Sequence, residues 1–209
     1  MNLKARIKSA TETYQDQPII LSYLIQFSEL FNRINQLIEK KEQVIIAIDG
    51  YSSSGKTTLA QLIGFLFDAN IFHMDDFFMP IKAIQSSQKI AYNIDFVRLQ
   101  NEIINPLVSK KDLSYHCFDC ILQSFSDEIM VDYHKVSVIE GAYSMHPNLN
   151  ENYDMRVFLK ISYIKQIKRI ISRNGYKKLF DFLTKWIPNE HKYFKELKII
   201  EKADYIYKK

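Results

Sequence analysis

Along the chain, apolar residues recur in two rhythms. Between residues 20 and 38 they fall at Leu21, Leu24, Phe27, Phe31, Ile34 and Ile38 with polar positions between, a spacing that predicts one amphipathic helix packed on the outside of a sheet. Residues 44–49, Val-Ile-Ile-Ala-Ile-Asp, form instead a near-continuous β-branched run, the pattern of a strand buried on both faces. Shorter runs at 70–74, 135–141, 155–159 and 203–206 predict four more strands, and 113–120 predicts a strand or hairpin arm. Helical windows lie between them at 58–63, at 96–108 with a break near Pro106, at 163–173 closed by Asn174-Gly175, and at 193–200. Residues 80–92 have mixed polarity and no period, and read as a loop or mobile flap. Strands alternating with helices imply a three-layer α/β architecture, a parallel sheet covered on both faces.

At 209 residues the chain suits one such domain over 43–209, with residues 1–42 as a helical extension packed on it. The net charge of +4 hides an asymmetry, because from Lys160 onward fourteen Lys/Arg stand against five Asp/Glu. A basic segment of this kind serves nucleic acid, a membrane surface or a phosphate-rich small substrate. The same helix carries Ile164, Ile167, Ile170 and Ile171, which commits one of its faces to the core and argues against nucleic acid. No apolar stretch approaches the roughly 20 residues of a membrane span, so no membrane partner is expected. Cys117 and Cys120 form a C-x-x-C with no second pair, and read as free thiols rather than a redox pair or half a zinc site. Scarce cysteine without a secretory signal points to a reducing cytoplasm.

The chemistry begins where the first strand ends. Gly50-Tyr51-Ser52-Ser53-Ser54-Gly55-Lys56-Thr57 fits G-x-x-x-x-G-K-[ST], preceded by a strand pattern and followed, from Thr58, by a helix pattern. That context makes it a phosphate-binding loop. Glycines let the backbone fold so that successive N–H groups face phosphate oxygens, and the helix N-terminus adds its partial positive charge. The expected ATP-binding residues are therefore Gly50 through Thr58, with Lys56 reaching the β- and γ-phosphates and Thr57 ligating Mg²⁺.

Ligands of open parallel sheets gather beyond the carboxyl ends of the strands. Three such ends are acidic here: Asp49, Asp75-Asp76 and Glu140. Phosphoryl transfer needs a carboxylate near the metal and another to orient or deprotonate the attacking hydroxyl. Glu140 suits the first task and Asp75 or Asp76 the second.

Taken together, these residues resemble the uridine kinase branch of P-loop kinases, which includes phosphoribulokinase, nicotinamide riboside kinase and one type of pantothenate kinase. The likeness rests on Gly50 to Thr58, His73-Met74-Asp75-Asp76-Phe77-Phe78, Asn93-Ile94-Asp95, Ile139-Glu140-Gly141, Arg169 with Arg173, and Ala203-Asp204-Tyr205-Ile206, in the family's order from about residue 43 onward. It implies a nucleoside-kinase-like P-loop NTPase fold and an ATP- and Mg²⁺-dependent transfer to a small hydroxyl-bearing substrate. It also implies roles by position: Asp75 as the acceptor-activating base, Glu140 as the acid near Mg²⁺, Asp95 near the acceptor, and Arg169 and Arg173 on a lid helix over the phosphates. Asp76, Asp119 and Gln123 fall with Asp95 in the acceptor region. Phe78 stands where uridine kinases commonly have Tyr, and Gln123 stands near the position of a base-binding His, so uridine itself is not implied. A nucleoside 5′-hydroxyl is the expected acceptor, with a vitamin or sugar phosphate as the alternative, and a homo-oligomer is left open. A non-catalytic nucleotide-dependent regulator is the competing class. The Asn-Lys-x-Asp of GTPases occurs nowhere.

Overall fold

The computed structural model describes residues 2–83 and 90–208, with the side chains of Ile81 and Asn150 set aside. Its centre is a five-stranded parallel sheet of β1 (Val44–Gly50), β2 (Asn70–His73), β7 (Val136–Glu140), β8 (Met155–Lys160) and β9 (Tyr205–Lys208), ordered β2-β7-β1-β8-β9. All seven residues of β1 are buried, as their β-branched sequence requires. Val44, Ile46 and Ile48 face one layer while Ile45 and Ala47 face the other, so the two cores meet only through this sheet. This is the P-loop NTPase fold.

One layer is built by α1 (Leu3–Thr13), α2 (Pro18–Gln26), α3 (Ser28–Lys40) and α4 (Lys56–Phe67), whose apolar stripes share a cluster with β1, β7 and β8. The single helix expected over 20–38 is two helices. They break at Phe27, whose φ of −104° and ψ of 15° leave the helical region, and the break seats a Phe27 ring that is 0% exposed. Truncating such a ring typically costs about 3–5 kcal/mol. Helix α1 has no counterpart among the expected elements, because its stripe of Leu3, Ile7 and Ala10 is thin and set among Lys, Arg and Thr.

The opposite layer holds α5 (Phe96–Leu99), a π-turn over Gln100–Ile104 and α6 (Asn105–Val108), which together form the expected helix with its irregularity just before Pro106. From it Arg98 donates to the carbonyls of Asp76, at 2.6 Å, and His116. Those bonds tie the acidic turn after β2 to two small antiparallel pairs, β3 (Leu113–Tyr115) with β6 (Ile129–Val131), and β4 (Phe118–Asp119) with β5 (Ser124–Phe125). Of the aperiodic 80–92 segment, Ile81–Ala83 form a short 3-10 turn and 84–89 lie outside the described residues.

Helix α7 (Tyr163–Asp181) bends at Gly175, whose φ of 76° and ψ of 169° no helix accommodates. The stop read at Asn174-Gly175 is thus a real break, yet the chain resumes helix at once and runs through a π-turn over Phe182–Trp186 into α8 (Ile187–Glu196). The last expected helix therefore starts earlier than residue 193, because Pro188 suits a first helical turn and Glu190, Tyr193 and Phe194 are its buried face. No helix among the described residues is long and apolar enough to cross a membrane.

Candidate active site

The loop after β1 is shaped by its glycines. Gly50 adopts a φ of 143°, and a Cβ there would meet the Leu159 carbonyl oxygen at 2.2 Å, so only glycine lets the chain pass β8. Gly55, with a φ of 100°, turns the loop into α4. Lys56 Nζ folds back to donate to the carbonyls of Gly50 at 2.9 Å and Tyr51 at 3.2 Å. The hydroxyls of Ser53 and Ser54 are buried without a hydrogen-bond partner.

Beyond the carboxyl ends of β1, β2 and β7 opens a cleft of about 840 Å³. Ser52, Ser53, Gly55, Lys56, Thr57, Thr58, Asp75, Gln123, Glu140, Arg169 and Arg173 all line it. Thr57 Oγ1 donates to Glu140 Oε1 at 2.9 Å, and His73 Nδ1 lies 2.6 Å from the same oxygen. That hydrogen bond to Glu140 holds the His73 imidazolium to higher pH than usual. Asp75 opens onto the cleft, where its sheltered position, and next the charge of Glu140, push its carboxyl above the ordinary Asp value. From α7, Arg169 Nη1 donates to the carbonyls of Ser53 at 3.1 Å and Ser54 at 3.5 Å, while Arg173 Nε donates to Asn174 Oδ1 at 2.9 Å.

The other expected residues have local partners. Asp95 Oδ1 accepts the backbone N–H of Arg98 at 2.9 Å and caps α5. Asp119 Oδ1 accepts the N–H groups of Ile121 and Leu122 at 2.7 and 2.9 Å, closing the β4–β5 turn. Burial raises the Asp76 carboxyl, opposed chiefly by a hydrogen bond with the Cys117 thiol. Neither Asp76, Asp95 nor Asp119 lines the cleft. Cys117 and Cys120 are free thiols, and Cys120 reaches the cleft wall.

Two residues that the sequence did not single out hold the loop from below. Glu190 on α8, 3% exposed, accepts the Ser52 N–H on Oε2 at 3.1 Å and the Ser52 hydroxyl on Oε1. One turn on, the Tyr193 hydroxyl donates to Asp49 Oδ2 at 2.7 Å. Asp49, fully buried, also accepts the N–H groups of Gly50 at 2.7 Å and Met145 at 3.0 Å. Asp49 is therefore a strut beneath the loop and not part of the cleft. Glu190 and Tyr193 lie three apart on one face of α8, but their partners are more than a hundred residues away, so no local signal marks them.

No family model matches the chain. Among curated proteins, the nicotinamide riboside kinase of Saccharomyces cerevisiae is 25% identical over 182 residues, covering 75% of this chain and 74% of that protein. Uridine-cytidine kinase C of Dictyostelium discoideum is 28% identical over 153 residues, covering 68% of this chain but only 34% of that longer protein. A solved structure of a possible uridine kinase from Bacillus stearothermophilus matches with a TM-score of 0.57 at 23% identity, covering 86% of this chain and 99% of that one, a likeness of fold. In sequence and in fold, the chain is similar to the uridine kinase-like P-loop kinases.

Proposed function

We propose that the chain is an ATP- and Mg²⁺-dependent phosphotransferase acting on a hydroxyl of a small molecule, with the 5′-hydroxyl of a nucleoside as the acceptor that fits best. The observation that carries this reading is the convergence of Lys56, Thr57, Glu140 and Asp75 on one cleft, with Arg169 bonded to the facing loop. Kinase relatives support the reaction class. The nucleoside is supported by Phe78, Tyr92, Asn93, Gln123 and Tyr143 in the cleft wall, since aromatic faces beside side-chain amides suit a flat heterocycle with hydrogen-bonding edges.

In this reading the acceptor hydroxyl lies against Asp75. The carboxylate takes its proton as the oxygen bonds to the γ-phosphorus, and the bond from that phosphorus to the β–γ bridging oxygen breaks, releasing ADP. Lys56, the loop N–H groups and Arg169 offset the charge on the transferring phosphoryl group. Among the described residues no group of three or more His, Cys, Asp and Glu side chains is placed to hold a metal. Thr57 and Glu140 are hard oxygen donors side by side, which fits Mg²⁺ taking its remaining ligands from phosphate and water. Held by Thr57 and Glu140, Mg²⁺ would supply positive charge to offset that of the phosphates.

The test is ADP release by the purified protein with ATP and Mg²⁺ across a panel of nucleosides, vitamins and sugar phosphates. Release that depends on one acceptor and vanishes in Lys56→Ala is expected. ATP binding with no acceptor-dependent release across the panel favours the regulatory reading instead.

A further inference from the structure

A phosphate-binding loop fixes the direction in which a nucleoside triphosphate lies. Its N–H groups and Lys56 hold the β- and γ-phosphates, and the γ end faces Asp75 and Glu140, so the α-phosphate and nucleoside leave past Thr57 and Thr58. Ile19 and Tyr23 of α2 line the cleft, and Tyr23 lies beside Gly55, Thr58 and Arg169, which places α2 on that side. Tyr23 is 1% exposed. Its ring packs on Phe27 with centroids 5.1 Å apart, and its hydroxyl donates to the Gly55 carbonyl at 3.4 Å, which anchors α2 to the phosphate loop itself. Ile19 lies one turn earlier on the same helix face and is 66% exposed. Scattered exposed isoleucines are ordinary, but this one stands on the wall of a nucleotide cleft, on the side where a base or ribose emerges.

We propose that Ile19, seated by the Tyr23 anchor, packs against the nucleoside moiety of the donor triphosphate, so that the N-terminal helices form part of the donor site. The proposal rests on the kinase reading of the cleft. It concerns an apolar contact that a triphosphate chain without a nucleoside cannot make.

Inorganic tripolyphosphate is therefore the discriminating probe, compared with ATP by calorimetric titration in the presence of Mg²⁺. Ile19→Asn is neutral and lies at the surface, so the fold is retained. Its Kd for ATP should rise about fivefold or more, as loss of a partly buried aliphatic contact implies, while its Kd for tripolyphosphate stays at the parental value. Ile25→Asn, on the same helix and 79% exposed but outside the cleft, should change neither. The proposal is overturned if Ile19→Asn binds ATP as the parent does, if it loses both ligands equally, or if the parent binds neither. A parent that binds ATP but phosphorylates no acceptor defeats the kinase reading alone, and the binding comparison still decides the role of Ile19.

Discussion

Glu190 offers a quantitative test of how the phosphate loop is held. Its two carboxylate oxygens are the partners of the Ser52 N–H and hydroxyl, and the side chain is 3% exposed. Glu190→Ala takes the partner from both donors of half-buried Ser52, at most about 1–3 kcal/mol each; water reaching Ser52 from the cleft and relief of the buried charge offset part of this, giving a net loss of about 1–3 kcal/mol. Glu190→Gln keeps the shape, with its amide oxygen accepting the N–H and its amide nitrogen donating to the hydroxyl. Burial raises the Glu190 carboxyl above its usual value despite the opposing pull of Lys56 and Ser52, so ionisation is a net cost in the folded state. The stability of a group raised in this way is lost as pH rises through its folded pKa. Glu190→Gln should therefore equal or exceed the parent at pH 7.5, and its advantage should shrink as pH falls. Urea unfolding reads all of this: with a slope of about 2 kcal/mol per molar, the Ala variant should unfold about 0.5–1.5 M earlier. An Ala variant within about 0.5 kcal/mol of the parent, or a Gln variant as weak as the Ala variant, would refute the reasoning.

Asp75→Asn should lower turnover by about 10²- to 10⁴-fold with little change in ATP affinity, while Asp76→Asn is mild; the reverse pattern moves the base to Asp76. Because Asp75 is raised above the ordinary Asp value by its sheltered position and Glu140, the acid limb of kcat/KM should lie above pH 3.8 and disappear in Asp75→Asn. Arg169→Ala and Arg173→Ala should each reduce turnover without weakening acceptor binding, and a double variant with parental kinetics would reduce this helix to a solvated basic face. Burial holds His146 down at about 4, from 6.5, so the unfolded chain binds the extra proton first and stability falls as pH drops from 6.5. That loss, discounted for the partial exposure of the ring, should appear as a lower urea midpoint at pH 5.0 than at pH 7.5, and this contribution should be absent in His146→Gln.

The sheet was legible because its central strands are buried on both faces, which writes an unbroken apolar run at 44–48 and, at 136–139, one interrupted only by the small buried Ser137. Its helices were less so, for two separate reasons. Periodicity over 20–38 continues across Phe27 because both helices bury the same core, and a change of direction leaves no gap in the apolar stripe. The helical run from 176 to 196 carries Tyr176, Phe180, Leu183 and Trp186 at least partly in solvent, so its apolar residues do not mark one buried face and the periodic signal fails.

The site divides along the same physical line. Residues that the proposed function turns toward a ligand, such as Lys56, Thr57 and Glu140, sit on a loop and at strand ends whose local sequence signals them. Residues that hold the loop in place come from elements distant in sequence: Glu190 and Tyr193 lie more than a hundred residues beyond Ser52 and Asp49, and Tyr23 lies 32 before Gly55. A carboxylate is as short and polar when it caps a turn as when it meets a ligand, which is why Asp95 and Asp119 read as candidates and are found accepting backbone N–H groups nearby. Only the fold distinguishes the two uses. The phosphate loop is thus gripped from three sides, by α2 at Gly55, by α7 at Ser53 and by α8 at Ser52. All three helices also carry residues onto the cleft wall, Ile19 on α2, Arg173 on α7 and Glu190 on α8. On the proposed function, a nucleotide in that cleft would meet the loop and its walls together, and the Ile19→Asn comparison is what decides whether the N-terminal helices take part.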